Sequence, residues 1–384
     1  AMVFGKRRRA KAHRAFNATM TNRTLAATVG WGVFCAASWT WCIGMFLPFV
    51  LLAQFGWPGF WAFFVPNVIG CAAFGYVMTP ARREKIRQRC GSVCIWFSLA
   101  TLAYQAFFAG WMLSPPIAFG VVVVGIAAGR WIGDRGWLRL AFIATAASAG
   151  CILWLGEPSL MNLPSHGTRP PESLLGLAPI IALGFLTCPY LDLTFHRALE
   201  KSPSRHAFLV FGFVFGATLL GIASLWNPLT NGTTFTLALG ALWTIQLTFT
   251  IGAHAREGWS RRWNEPADTP LRFRSGLAVV WVLLLGLTIG WLTRIAPSDW
   301  MGGGEATYLR FLVLYGLVFP AFLLLRLRAV PVWMVWLTIV ACLPFYEMGF
   351  LQNRTEMLFI PIGLLCVLHI ASLDKARWKD RAHP

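Results

Sequence analysis

Asp192 carries the strongest chemical signal in the chain. It lies in Tyr190-Leu191-Asp192-Leu193-Thr194-Phe195-His196-Arg197, near the end of a long apolar run. A carboxylate inside a membrane segment is costly and points by default to function. Asp192, His196 and Arg197 are therefore the candidates for ion or proton coupling or for gating. The structural alternative pairs Asp192 with His196, one helical turn on, or with Arg197. Trp39 and Trp41 stand out next. They fall in the middle of the first apolar segment, where membrane-interface anchoring does not account for them, and an indole face there can stack on an apolar solute or hold a cation. A lipid-facing or packed tryptophan is their other reading. Gly44, Asn67, Cys188 and Tyr190 complete the candidate substrate-binding set.

Other reactive residue types promise less. The nine cysteines lie in or beside apolar segments with no CxxC pair and no Cys/His ligand spacing, so they read as small apolar side chains and no metal site is expected. His13, His166, His206, His254, His369 and His383 are dispersed, and no catalytic dyad is read from them. Glu347 is expected to snorkel or to pair with Arg354, and Trp57, Trp137 and Trp300 to anchor span ends at the interface.

The elements that position these residues follow from composition. The 384 residues are 57% hydrophobic and only 12% charged, with a mean hydropathy of +0.60. Soluble domains carry about 25% charged residues. The net charge of +18 would suit nucleic acid, but the basic residues cluster in short stretches between apolar runs, the orientation signature of a membrane protein. A spanning helix needs about 20 apolar residues. Twelve segments approach that length: 27–54, 58–79, 92–113, 115–132, 137–156, 174–197, 206–226, 233–254, 275–294, 306–326, 331–350 and 356–373. With both ends inside, 29 of the 33 Lys and Arg face the cytoplasm, leaving only Arg169, Arg294, Arg310 and Arg354 outside. The basic stretch Lys6 to Arg14 is followed by polar residues, which is not a signal-peptide pattern. The expected location is a bacterial cytoplasmic (inner) membrane.

Two of the segments are interrupted at matching places. The first contains Thr40-Trp41-Cys42-Ile43-Gly44-Met45-Phe46-Leu47-Pro48, and the sixth Gly184-Phe185-Leu186-Thr187-Cys188-Pro189-Tyr190. Each is followed by a segment with a small-residue pattern around Gly70 or Gly216. Cys42 and Gly70 are 28 positions apart, as are Cys188 and Gly216. Each break falls in the first helix of a five-helix unit, and because five is odd the second unit crosses the membrane in the opposite sense. The expected fold is an all-α polytopic membrane protein, with a five-plus-five inverted repeat and two additional C-terminal helices. Its parts are a basic segment 1–26, halves at 27–156 and 174–326, a loop at 157–173, added helices at 327–373, and a basic tail at 374–384. Broken helices at matching positions of inverted halves point to a binding site near the midplane.

The stretch Asp192 to Leu199, followed by Lys201-Ser202-Pro203, resembles sodium:solute symporters of the LeuT/APC-fold transporter superfamily. Those proteins have an Asp, a Gln-Arg pair and a Ser-Pro turn after the equivalent broken helix; here His196 stands for the Gln. The resemblance implies a sodium ion between carbonyls near Ala37 and Thr40 and the hydroxyls of Thr244 and Thr248. The characteristic Ser/Thr-rich run with an acidic residue is missing from the eighth segment, and both threonines have the alternative of bonding their own backbone.

The resulting expectation is a secondary transporter moving a small organic solute by alternating access, with Na+ or H+ as coupling ion and no other cofactor. Solute and lipid are its expected partners, nucleic acid is not, and a partner membrane subunit is admitted. One alternative is a transporter-like subunit or sensor module of a larger complex. A membrane-embedded acyltransferase using His196 or His254, both at cytoplasmic span ends, is the lesser one, and no enzyme activity is expected.

Overall fold

The computed structural model describes residues 22–154, 164–225, 233–259, 275–296 and 303–381. Among them every regular element is helical. They are α1 (Asn22–Trp39), α2 (Cys42–Phe55), α3 (Trp57–Val77), α4 (Pro80–Met112), α5 (Pro115–Trp131), α6 (Asp134–Trp154), α7 (Ser173–Thr187), α8 (Leu193–Lys201), α9 (Ala207–Ser224), α10 (Thr233–Gly258), α11 (Ser275–Ile295), α12 (Gly303–Arg326), α13 (Val332–Leu351) and α14 (Phe359–Arg381). Ten helices among the described residues are long and apolar enough to cross a membrane. The α1–α2 pair, bent by 60°, makes an eleventh, and α5 is a shorter apolar helix. The expected segments each overlap helical residues, with ten to eleven of them long and apolar enough to span among the described residues.

The bundle closes through glycine. Gly286 and Gly290 on α11 lie against the backbone of α4 at Ala103 and Phe107, where a Cβ would have no room. On α5, Gly129 meets the Gly252 carbonyl of α10 in the same way, and Gly125 lies against the Ile251 side chain with the Thr248 carbonyl just beyond it. Both pairs are spaced four apart, the small-residue stripe that lets membrane helices approach closely. At Gly56, φ is +64°, and the chain reverses from α2 into α3 against the backbone of Pro164 to His166.

Two sequence expectations are corrected. Trp137 is fully buried, edge-on to Phe34 and Phe249, and is a core residue rather than an interfacial anchor. Glu347 pairs with Arg310 at 2.6 Å, because α12 lies beside α13, while Arg354 turns to Glu356. Trp300, His13, His383 and the tail side chains lie outside the described residues.

Candidate functional site

Both expected interruptions exist, each slightly displaced. Gly44 and Pro48 do not break the first span. They sit inside α2, and the break falls at Thr40–Trp41, with Trp41 extended (φ −79°, ψ 176°). The Trp41 N–H bonds the Trp39 carbonyl at 2.8 Å rather than reaching back to Ala37. The opening N–H of α2, at Cys42, is accepted by the side-chain oxygen of Gln105 from α4 at 3.2 Å. Tyr308 of α12 donates to the Cys42 carbonyl at 3.2 Å. Gln105 therefore supplies a partner that the broken backbone has lost, and Tyr308 adds a second bond at the first carbonyl of α2. In the sixth span, α7 tightens into a 3-10 turn at Cys188–Tyr190 and becomes extended at Asp192, which caps α8. The two breaks meet: Ser38 and Thr194 hydroxyls are 3.1 Å apart, and the Trp39 and Phe195 rings lie 4.9 Å apart.

Between the broken helices lies a cavity with ≈ 60 Å³ of room for water centres. Trp39, Trp41 and Cys188 line its deep end, with Tyr315 from α12. Gln54, Arg169 and Thr355 mark the other end, and most of the wall between is aliphatic. A volume several times that needed for one water admits a small solute group.

The structure separates the candidates into three sets. Trp39, Trp41 and Cys188 face the cavity. Asn67 lies behind it and accepts the Trp39 indole N–H at 2.8 Å, so it positions the ring rather than lining the pocket. Gly44 packs against Leu219 and Phe215 of α9, and Tyr190 is edge-on to Phe74 at 5.4 Å; neither lines the cavity. Of the four residues the symporter resemblance assigns to sodium, Thr40, Thr244 and Thr248 donate to Ala36, Gly240 and Thr244 carbonyls within their own helices. At the break the Ala37 carbonyl loses its helical donor, and the Thr40 carbonyl, the other one the resemblance implies, lies beside it.

Asp192 pairs with neither expected partner. One carboxylate oxygen, Oδ1, accepts from the Thr194 N–H at 2.6 Å and the Thr194 hydroxyl at 2.7 Å. The other, Oδ2, has no hydrogen-bond partner and faces His254 Nε2 at 3.9 Å. His196 turns to the Tyr190 carbonyl at 2.9 Å. Arg197 joins Glu257 of α10 and Asp134 of α6, and Arg256 closes the same cluster on Asp134 at 2.7 Å. This cluster gathers three loops expected on the cytoplasmic side. Glu84, on that same expected side, is held by Arg87 and Gln88, which lower its carboxyl to about 2.

His254 is the residue that sequence reasoning missed. Its expected place is a cytoplasmic span end, but it is fully enclosed, with Nδ1 3.5 Å from Ser98 Oγ and its ring edge-on to Trp41 at 5.5 Å. A signal existed. Gln246, Thr250 and His254 recur every four residues on α10, all buried, and form its inward polar stripe. Thr244 and Thr248, the hydroxyls implied by the symporter resemblance, lie off that stripe. The order Ser98, His254, Asp192 has the sequence of groups of a nucleophilic triad. Ser98 is wholly buried and is not part of the cavity lining. Among the described residues no group of three or more His, Cys, Asp or Glu is placed to hold a metal.

No family model and no curated protein matches the chain. Among solved structures it is similar to the crystal structure of the Eremococcus coleocola manganese transporter in complex with an aromatic bis-isothiourea substituted compound. The identity is 14% and the TM-score 0.48, over 92% of this chain and 95% of that one. At that identity and score the likeness assigns neither substrate nor mechanism.

Proposed function

We propose that this protein is a secondary transporter that binds a small organic solute between its two broken helices and moves it by alternating access. The observation that carries this reading is the cavity, which ends on Trp39, Trp41 and Cys188 where the two interruptions meet. Its aliphatic wall and indole floor favour a solute with an apolar or aromatic body. The positive-inside distribution supports both ends in the cytoplasm of a bacterial inner membrane. The cavity then opens toward the outside, and the Arg197–Glu257–Asp134 cluster closes the opposite end. A five-plus-five arrangement is supported by the matched breaks, with rocking of one bundle against the other as the motion.

Thermal stabilisation of the purified protein across a panel of small aromatic and aliphatic solutes tests this, followed by uptake of any hit into proteoliposomes. A stabilising solute is expected, and Trp41→Ala should abolish its effect while Trp131→Ala, on an exposed face, leaves it intact. A panel with no hit, together with stable co-purification of another membrane subunit, favours the subunit or sensor reading instead.

A further inference from the structure

We infer that Asp192 and His254 form a proton-binding site, holding one proton between Oδ2 and Nε2 that the protein takes up and releases as the broken helices move. This rests on the transport reading and names its coupling ion as H+. The geometry singles out the pair. Each side chain is wholly enclosed, with one end engaged: Asp192 Oδ1 by Thr194, and His254 Nδ1 by the neighbouring Ser98. The atoms left without a hydrogen-bond partner are the two that face each other at 3.9 Å. A modest side-chain rotation brings them within bonding range.

Charge decides what the pair holds. An ionised Asp192 beside a neutral His254 leaves one net negative charge in an apolar enclosure, which is expensive unless compensated. The nearby arginines do not supply it, since Arg197 and Arg256 are engaged with Glu257 and Asp134. The other titratable groups around the carboxylate are the thiols of Cys35, Cys71, Cys94 and Cys188, the Tyr315 phenol and Glu257. Thiols and phenols are ordinarily neutral at pH 7 and cannot compensate an anion. His196, on the helix that Asp192 caps, is committed to the Tyr190 carbonyl. One proton makes the pair neutral, whether it sits on carboxylate or imidazole.

The pair also joins the parts that must move. Asp192 sits at the break before α8, and His254 on α10. Trp41 both lines the cavity and meets the His254 imidazole edge-on at 5.5 Å. On the cytoplasmic side Glu257, three residues after His254, holds Arg197, five residues after Asp192. The proton arrives from water in the cavity when Trp41 yields, and leaves to cytoplasmic water when the Arg197–Glu257 contact opens. No bond other than O–H or N–H is made or broken.

Infrared difference spectroscopy of the purified protein in nanodiscs, titrated from acid to alkaline pH without solute, tests this directly. A carboxylic-acid carbonyl band that titrates with pH is expected, lost in Asp192→Asn. In His254→Leu its midpoint should move by about one pH unit, a tenfold change in proton affinity. A band unchanged in both variants overturns the site. Should Asp192→Asn fail to fold, the His254→Leu midpoint alone decides, and an unmoved midpoint overturns it. Because the readout needs no solute, it separates failure of the proton site from failure of the transport reading.

Discussion

Asn67 illustrates how a residue away from the cavity governs one that lines it. Its side-chain oxygen is the acceptor for the buried Trp39 indole, whose ring forms the cavity floor beside Trp41 at a centroid distance of 4.5 Å. Leaving that N–H without an acceptor costs about 1–3 kcal/mol, whereas replacing both partners by apolar groups is close to neutral. Asn67→Leu is therefore expected to lower the thermal midpoint and weaken solute stabilisation. The double variant Asn67→Leu, Trp39→Phe should be less destabilised than Asn67→Leu alone. Thermal unfolding of wild type, the two single variants and the double variant checks this, and additive losses would show that the bond contributes nothing. Cys188 is a further case. Its thiol bonds the Tyr315 carbonyl at 3.5 Å, so this cavity residue also ties the 3-10 turn to α12.

At the scale of elements, the breaks depend on the long helices that flank them. α4 provides Gln105 to the start of α2, Thr101 to Tyr315 at 3.2 Å, and Ser98 to His254. It is held in register by its close crossing with α11 at Gly286 and Gly290. A side chain at Gly290 meets α4 backbone rather than a movable side chain. Overpacking of this kind costs about 1–3 kcal/mol. Gly290→Leu should lower the thermal midpoint and shift the elution profile toward aggregate. Gly120→Leu, on α5 with open space around it, should do neither. Equal behaviour of the two in size-exclusion chromatography and unfolding would refute the close-crossing account.

Across the described residues, an ion-pair cluster at Arg197, Glu257 and Asp134 stands apart from the largely aliphatic cavity. The two visible classes of ion pair differ in depth. Arg197 and Glu257 have side chains 16% and 4% exposed, while Arg83 and Glu200 stand at 29% and 32%. Surface pairs contribute about 0–1 kcal/mol, but removing one partner of a buried pair costs about 3–5 kcal/mol. Arg197→Ala is thus expected to loosen the end of the bundle around α8 and α10 far more than Arg83→Ala. Hydrogen–deuterium exchange should rise across α8 and the end of α10 in the first variant and stay near wild type in the second. Identical exchange in both would remove the cluster as a gate.

The sequence alone determined the class, the rough placement of the apolar segments and the existence of two interruptions, while limits such as the start of α4, at Pro80 rather than near 92, came from the structure. Hydrophobic length and basic clustering answer to a single external constraint, the lipid thickness, and can be read from one chain at a time. It also marked Trp39, Trp41 and Cys188, because a helix break at membrane depth must face protein or a cavity, and the side chains beside it share that surface. Only the tertiary structure decided where each break falls, since Pro48 is accommodated inside α2 while Gln105, from a distant helix, supplies a partner at the true interruption. Only it brought His254 to Asp192, and separated Asp192 from Arg197. Which buried polar groups meet depends on the rotation of α10 against α4 and α8. That rotation is fixed by packing among helices remote in sequence, and hydropathy carries no record of it.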